Sequence, residues 1–256
     1  MKILITSFIA LALVYSFITN AHAMEAKSGY EFLTTESKEM QDDDFANPGL
    51  KALEDGRKWY YDKNLQGKNC VSCHGEDGSG FDKKSLASYP KYNNEFERPF
   101  SLQDQINYCW EENLDNVPYI YDCPDLLELE VYIRNLAKDE KVNVVITDKL
   151  KPFYEKGKQL YNTRFGQINM SCASCHDQYS GLKLRGQVLS QGQSNGYPAY
   201  RLGSGKITGL HSRFAECFTS FRAEPFDRGS MEYISLELFL NARGNNLKIE
   251  TPGVRY

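Results

Sequence analysis

The chain has 256 residues, with 34 acidic against 30 basic side chains, a formal net charge of −4 and 41% hydrophobic residues. That length allows one or two domains. The balanced charge offers no basic surface for nucleic acid and no cationic face for an anionic membrane.

In chain order, the first element is Met1-Lys2, an apolar run from Ile3 to Ile18, and then Ala21-His22-Ala23. A basic start, a short apolar core and a small-x-small end describe a cleavable export signal. The run is short for a membrane span, and an uncleaved anchor is the competing reading. Residues 1–23 are assigned to the leader. The mature chain is expected to begin at Met24, to carry no membrane span and to work in the periplasm. The acidic stretch Gln41-Asp42-Asp43-Asp44, next to Met40, reads as unstructured.

Gly56-Arg57-Lys58-Trp59-Tyr60 then fits a helix leading into Cys70-Val71-Ser72-Cys73-His74. C-x-x-C-H is the attachment signal for c-type haem. Two thiols on one short turn can each add to a vinyl group of the same porphyrin, and the adjacent His reaches the iron. The signal recurs as Cys172-Ala173-Ser174-Cys175-His176. Zinc or disulfide readings of the four cysteines leave both histidines unexplained. The cofactors are therefore read as two covalently attached c-type haems, with thioethers at Cys70, Cys73, Cys172 and Cys175 and iron ligands at His74 and His176.

The flanks repeat as well. Gly157-Lys158-Gln159-Leu160-Tyr161 precedes the second motif, Cys109 aligns with Cys217, and Leu129-Glu130-Val131-Tyr132-Ile133 aligns with Leu236-Glu237-Leu238-Phe239-Leu240. The spacing between the copies stays near 102 to 108 residues, which is what a duplicated domain leaves. The last two segments show helical spacing, with Asp122 and Asp227 as possible caps and Gly244 at a helix end. The fold class is mainly α: two tandem cytochrome c-like domains, 24–145 and 146–256, each around one haem, with extended irregular loops. The charged stretch from Lys138 to Pro152 reads as the link. The Gly-rich segment 182–209 reads as a long loop wrapping the second haem, against a bland solvent loop.

The haem ligand opposite each histidine follows by elimination. His211 is the only His outside the leader and the two motifs, and no Met lies between the first motif and the link. Cys109, Cys123, a Lys or nothing remains for the first haem. The repeat favours Cys109, with Cys217 as its counterpart. A Cys123/Met231 pair is the rival, and small buried core residues are the bland reading. Arg213 and Cys217 are spaced to share a helical face, so a guanidinium would lower the thiol and create an anion site. Arg201, Arg222, Arg228 and Arg243 add positive charge to this half. The first half instead has the acid Asp104 ahead of Cys109, which would repel an anion.

With these residues in place the chain resembles SoxA, the dihaem subunit of the SoxAX cytochrome of sulfur oxidation. The paired motifs carry the resemblance, together with Cys109, Leu210-His211-Ser212-Arg213-Phe214-Ala215-Glu216-Cys217, Arg222-Ala223-Glu224-Pro225-Phe226, Asn241-Ala242-Arg243-Gly244 and Pro252-Gly253-Val254-Arg255. The resemblance implies that Cys217 is the active-site cysteine, a haem ligand carried as a persulfide, and that Arg213 and Arg243 flank the substrate. It implies an L-cysteine S-thiosulfotransferase, which conjugates thiosulfate oxidatively to a cysteine of the carrier SoxYZ. Its electrons leave through haem to a monohaem SoxX-like partner in a heterodimer. Cys123 has no role in that pattern. A non-catalytic dihaem electron carrier and a peroxidase-like haem enzyme are the alternatives.

Overall fold

The computed structural model describes residues 25–256. The export leader, His22 and the start at Met24 lie outside the described residues. Among the described residues no helix is long and apolar enough to cross a membrane.

The acidic stretch expected to be unstructured is in part helical. Helix α1 (Thr35–Asp42) contains Met40, and Thr34 caps it by accepting from the Ser37 amide at 3.3 Å. Gln41 then accepts from the Val254 amide at 2.9 Å, across 213 residues of chain. So distant a partner leaves no local mark in the sequence.

The first half continues with α2 (Leu50–Tyr61), α3 (Val71–His74), α4 (Lys83–Leu86), the hairpin β1 (Lys91–Asn93)–β2 (Arg98–Phe100), α5 (Leu102–Glu112) and α6 (Pro124–Asn135). The second half holds α7 (Lys151–Asn162), a π turn (Ser174–Gln178), the hairpin β3 (Lys183–Leu184)–β4 (Gln187–Val188), β5 (Ala199–Arg201), β6 (Lys206–Thr208), α8 (Leu210–Ser220), α9 (Met231–Arg243) and β7 (Gly253–Arg255). Segment 182–209 is thus partly strand. β5 lies between β6, antiparallel, and β7, parallel.

In each half the helix before the haem motif packs on the helix that ends the repeat: α2 on α6 and α7 on α9. A Cβ on Gly56 would lie 1.9 Å from the Glu128 carbonyl oxygen, and one on Gly157 would lie 1.9 Å from that of Ser235. Only glycine permits such backbone contact, so the aligned glycines mark the same crossing twice. Around these crossings Tyr60, Leu126, Leu129, Tyr132 and Ile133 bury one core. Tyr161, Phe214, Phe218, Tyr233 and Leu236 bury the other. Each such side chain contributes on the order of 1.5–3 kcal/mol by leaving water.

The stretch read as a charged link is docked, not free. Val142 and Val144 are buried, and Val142 N donates to Leu247 O at 2.9 Å while Ile249 N donates to Glu140 O at 2.9 Å. Its alternating Val142-Asn143-Val144 buries two valines among the charges. Asp122 and Asp227 also do not cap the helices they precede: Cys123 opens α6, and Ser230 caps α9 by accepting from the Tyr233 amide. Asp122 turns to the other half and accepts from Ser212 N at 2.6 Å, in the first turn of α8. The residue before that helix is Gly209, which has no side chain to cap it. A Cβ on Gly209 would meet the Asp122 carboxylate at 2.1 Å.

Candidate functional site

Each C-x-x-C-H turn is pinned by the same local device. Ser174 N donates to Ser171 Oγ at 3.1 Å and Ser171 N to Ser174 Oγ at 3.2 Å. In the first half Asn69 and Ser72 exchange equivalent bonds at 3.2 and 3.3 Å. These bonds hold the two thiols and the following His of each motif on one turn.

The second turn opens on a cavity of about 300 Å³ lined by Cys172, His176, Arg213 and Cys217. His176 Nδ1 lies 2.8 Å from Ser190 O. A carbonyl only accepts, so Nδ1 carries the proton and Nε2 keeps its lone pair free for a metal. Burial holds His176 below the ordinary imidazole value, in its neutral form. A Cβ on Gly192 would sit 2.7 Å from the ring, so the Gly-rich loop closes directly over it. α8 brings Cys217 and Arg213 to the cavity from the same face. Arg213 donates to Glu216 at 3.1 Å, and Arg201, also lining the cavity, lies 3.6 Å from the same carboxylate. Burial works against the Arg213 charge, but the Cys217 sulfur, Tyr197 and Glu216 raise its pKa overall. The guanidinium stays cationic next to sulfur.

Arg243 is placed differently. It is not among the residues lining this cavity. Its guanidinium pairs with Asp177 at 2.5 Å, bonds Gln191 O and lies 5.2 Å from the centre of the Tyr161 ring. Asp177 follows His176 and Gln191 follows Ser190, so Arg243 braces the two segments that hold the histidine.

The first turn opens on a separate cavity of about 430 Å³ lined by Cys70, Cys73, His74 and Cys109. The His74 ring stacks on Phe81 with centroids 4.0 Å apart. The expected acid near Cys109 is elsewhere: Asp104 pairs with Arg98 at 3.2 Å and closes a capping box with Ser101. One helical turn before the cysteine stands Gln105, which donates to Cys109 Sγ at 3.4 Å. A neutral amide therefore occupies the position that Arg213 holds in the second half. Spacing alone would have found it, since Gln105 and Cys109 are i and i+4.

Cys123 and Met231 line neither cavity; they stand at the starts of α6 and α9, so the rival pairing has no geometric support. His211 is likewise turned away, bonded to Glu237 and the Gly229 amide. Cys70 and Cys73 line one cavity and Cys172 the other, so the two C-x-x-C pairs cannot build one zinc site. All seven cysteines are free, and among the described residues no group of three or more His, Cys, Asp or Glu converges to hold a metal ion. A C-x-x-C-H turn and a sulfur from a separate helix lining the same cavity make a donor set that fits a c-type haem in each cavity.

A family model described as the SoxA/TsdA cytochrome c domain matches residues 55–142 and 156–249. The chain is 40% identical over 233 residues to the L-cysteine S-thiosulfotransferase subunit SoxA of Pseudaminobacter salicylatoxidans, across 90% of this chain and 81% of that protein. It is 36% identical over 232 residues to the same subunit of Rhodovulum sulfidophilum, across 90% and 80%. The crystal structure of SoxXA from P. pantotrophus superposes with a TM-score of 0.83 at 31% identity, covering 90% of this chain and 87% of that one.

Proposed function

The chain belongs to the SoxA family, and on that premise we propose that it is the L-cysteine S-thiosulfotransferase subunit that conjugates thiosulfate to a cysteine of a SoxYZ carrier. It works in the periplasm, bound to a monohaem SoxX-like cytochrome. In the reaction the carrier S–H bond breaks and a bond forms between the carrier sulfur and the sulfane sulfur of thiosulfate. One proton and two electrons leave.

The observation that carries this reading is Arg213 one turn from Cys217, on the wall of a cavity whose other side is the His176 turn. A thiosulfate dianion needs a fixed cation and a sulfur partner, and this cavity supplies both. Cys172, Cys175 and His176 would hold a c-type haem in the cavity that Cys217 also lines, and the haem would supply a one-electron acceptor. A second haem is proposed on Cys70, Cys73, His74 and Cys109. Arg213 holds the sulfonate end of the substrate. Glu216 orients Arg213 and Arg201 and tempers their charge. Cys217 carries the reacting sulfur, as the persulfide that the resemblance implies. Arg243 takes part by bracing the segments that hold His176.

A non-catalytic electron carrier would have no use for a half-buried cation at Cys217. The test is mass analysis of the carrier after incubation with thiosulfate, an electron acceptor and the haem-loaded complex. The native protein is expected to add a thiosulfonate to the carrier cysteine, and Cys217→Ala, still carrying its haems, is expected to add none. Full conjugation by Cys217→Ala would overturn the reading.

A further inference from the structure

The duplicated halves meet through polar side chains that the sulfur chemistry does not use. Cavity-lining Leu102, Leu129 and Ile133 of the first half correspond in the repeat to Leu210, Leu236 and Leu240 of the second. The next residue in each case is polar and faces the opposite way, into a buried contact between the halves. There Gln103 and Glu130 come from α5 and α6, and His211 and Glu237 from α8 and α9. Gln103 Nε2 donates to Glu130 at 2.7 Å, and His211 Nε2 lies 3.1 Å from Glu237. The backbone bonds match too: Asp122 N donates to Gln103 Oε1 at 2.9 Å, and Gly229 N to His211 Nδ1 at 3.0 Å.

These bonds fix protonation states. An amide N–H only donates, so Nδ1 of His211 is bare and its single proton sits on Nε2, facing Glu237. His211 is neutral. Asp122 accepts from Ser212 N and Gln103 Nε2, so it is a carboxylate. Arg134, 5% exposed, supplies the only buried cation lining the contact, and its Nε has no hydrogen-bond partner among the described residues. Tyr121 is bonded to Ser101, burial pushes its hydroxyl up, and it stays neutral. Asp104 faces the same region from α5 but is paired with Arg98. Asp122, Glu130 and Glu237 thus stand against one cation around a cavity of about 20 Å³, room for a single water molecule. Burying a net double negative charge is costly, which raises the affinity of this contact for a proton.

We propose that Glu130 and Glu237 together form a proton-binding site between the two haem cavities, taking up one proton when an electron is held in either cavity and releasing it when the electron leaves. The site is one layer of aliphatic side chains behind each haem wall, where charges are poorly screened. The electron comes from the sulfur reaction and departs to the partner cytochrome. The proton comes from solvent and returns to it, and neither carboxyl is oxidised or reduced. Burial, then the neighbouring Glu237 carboxyl, pushes Glu130 up to about 8 against the pull of Arg134, which puts its proton exchange on the mildly alkaline side.

The inference rests on haem occupying both cavities, but it does not depend on thiosulfate chemistry. The test is a spectroelectrochemical titration of the haem-loaded protein, without thiosulfate or carrier, from about pH 6 to 10. In the native protein a haem midpoint potential is expected to fall as pH rises through and above about 8, and in Glu130→Gln that step is expected to vanish. A native profile without the step, or the same step in Glu130→Gln, would overturn the proposal. A second measurement needs no variant. The infrared difference spectrum of native protein on reduction at about pH 9 is expected to show a gain of a protonated-carboxyl C=O stretch, and its absence would count equally against the site.

Discussion

At the residue scale, the two cavities differ most by one side chain, Arg213 against Gln105, each a helical turn before its cysteine. Both were readable in the sequence as i, i+4 partners, because a helix face follows from spacing alone. Removing the Arg213 cation should weaken thiosulfate turnover about 10- to 100-fold in kcat/KM, the worth of a charged hydrogen bond. Steady-state kinetics of Arg213→Ala would check it, and Arg213→Lys should recover part of the loss. The support behind His176 was not readable. Ser190 and Gly192 belong to a loop whose glycines announce irregular backbone but not which carbonyl meets the imidazole. Arg243 likewise sits against Asp177 and Gln191, the neighbours of the histidine and of its carbonyl partner, contacts that spacing does not announce. Gly192→Ala is expected to displace the His176 ring and change the absorption of the haem proposed there, while that of the haem proposed at His74 stays as it was.

At the element scale, helical periodicity and the repeat located the helices that cross and the cysteines that face the motifs. Gly56 and Gly157 were visible as aligned residues, but only the fold explains them, as backbone contacts of α2 on α6 and α7 on α9. Gly157→Ala should lower stability by about 2 kcal/mol or more, because a methyl group cannot share space with the Ser235 carbonyl. Gly203→Ala, with nothing within 4 Å of the new Cβ, should stay within about 0.5 kcal/mol of the parent. Chemical denaturation of both haem-loaded variants gives the comparison. Elements closed by distant partners escaped the sequence: α1 by Gln41 on Val254, the docked link, and α8 capped by Asp122 from the other half.

At the scale of the whole molecule, the duplication was legible while the polar contact that joins its copies was not. Glu130 and Glu237 stand one residue from apolar positions that announce a core helix, and a charge in such a run reads as an exposed face. Glu130 has a folded value of about 8 against an ordinary 4.5, so between those limits the folded state holds more protons than the unfolded one. Its stabilising contribution is present below about 4.5 and is lost as pH rises through about 8, by at most about 1.4 kcal/mol per pH unit. Thermal melts of native protein and Glu130→Gln at about pH 6 and 9 should show that loss in the former only. The division of labour between the cavities is the central claim, and matched rates of thiosulfate-dependent reduction of the partner cytochrome test it most directly. With both haems verified in each variant, Cys217→Ala should reduce the partner no faster than a control without carrier, while Cys109→Ala should keep a measurable rate. Loss of turnover in Cys109→Ala with retention in Cys217→Ala would contradict it.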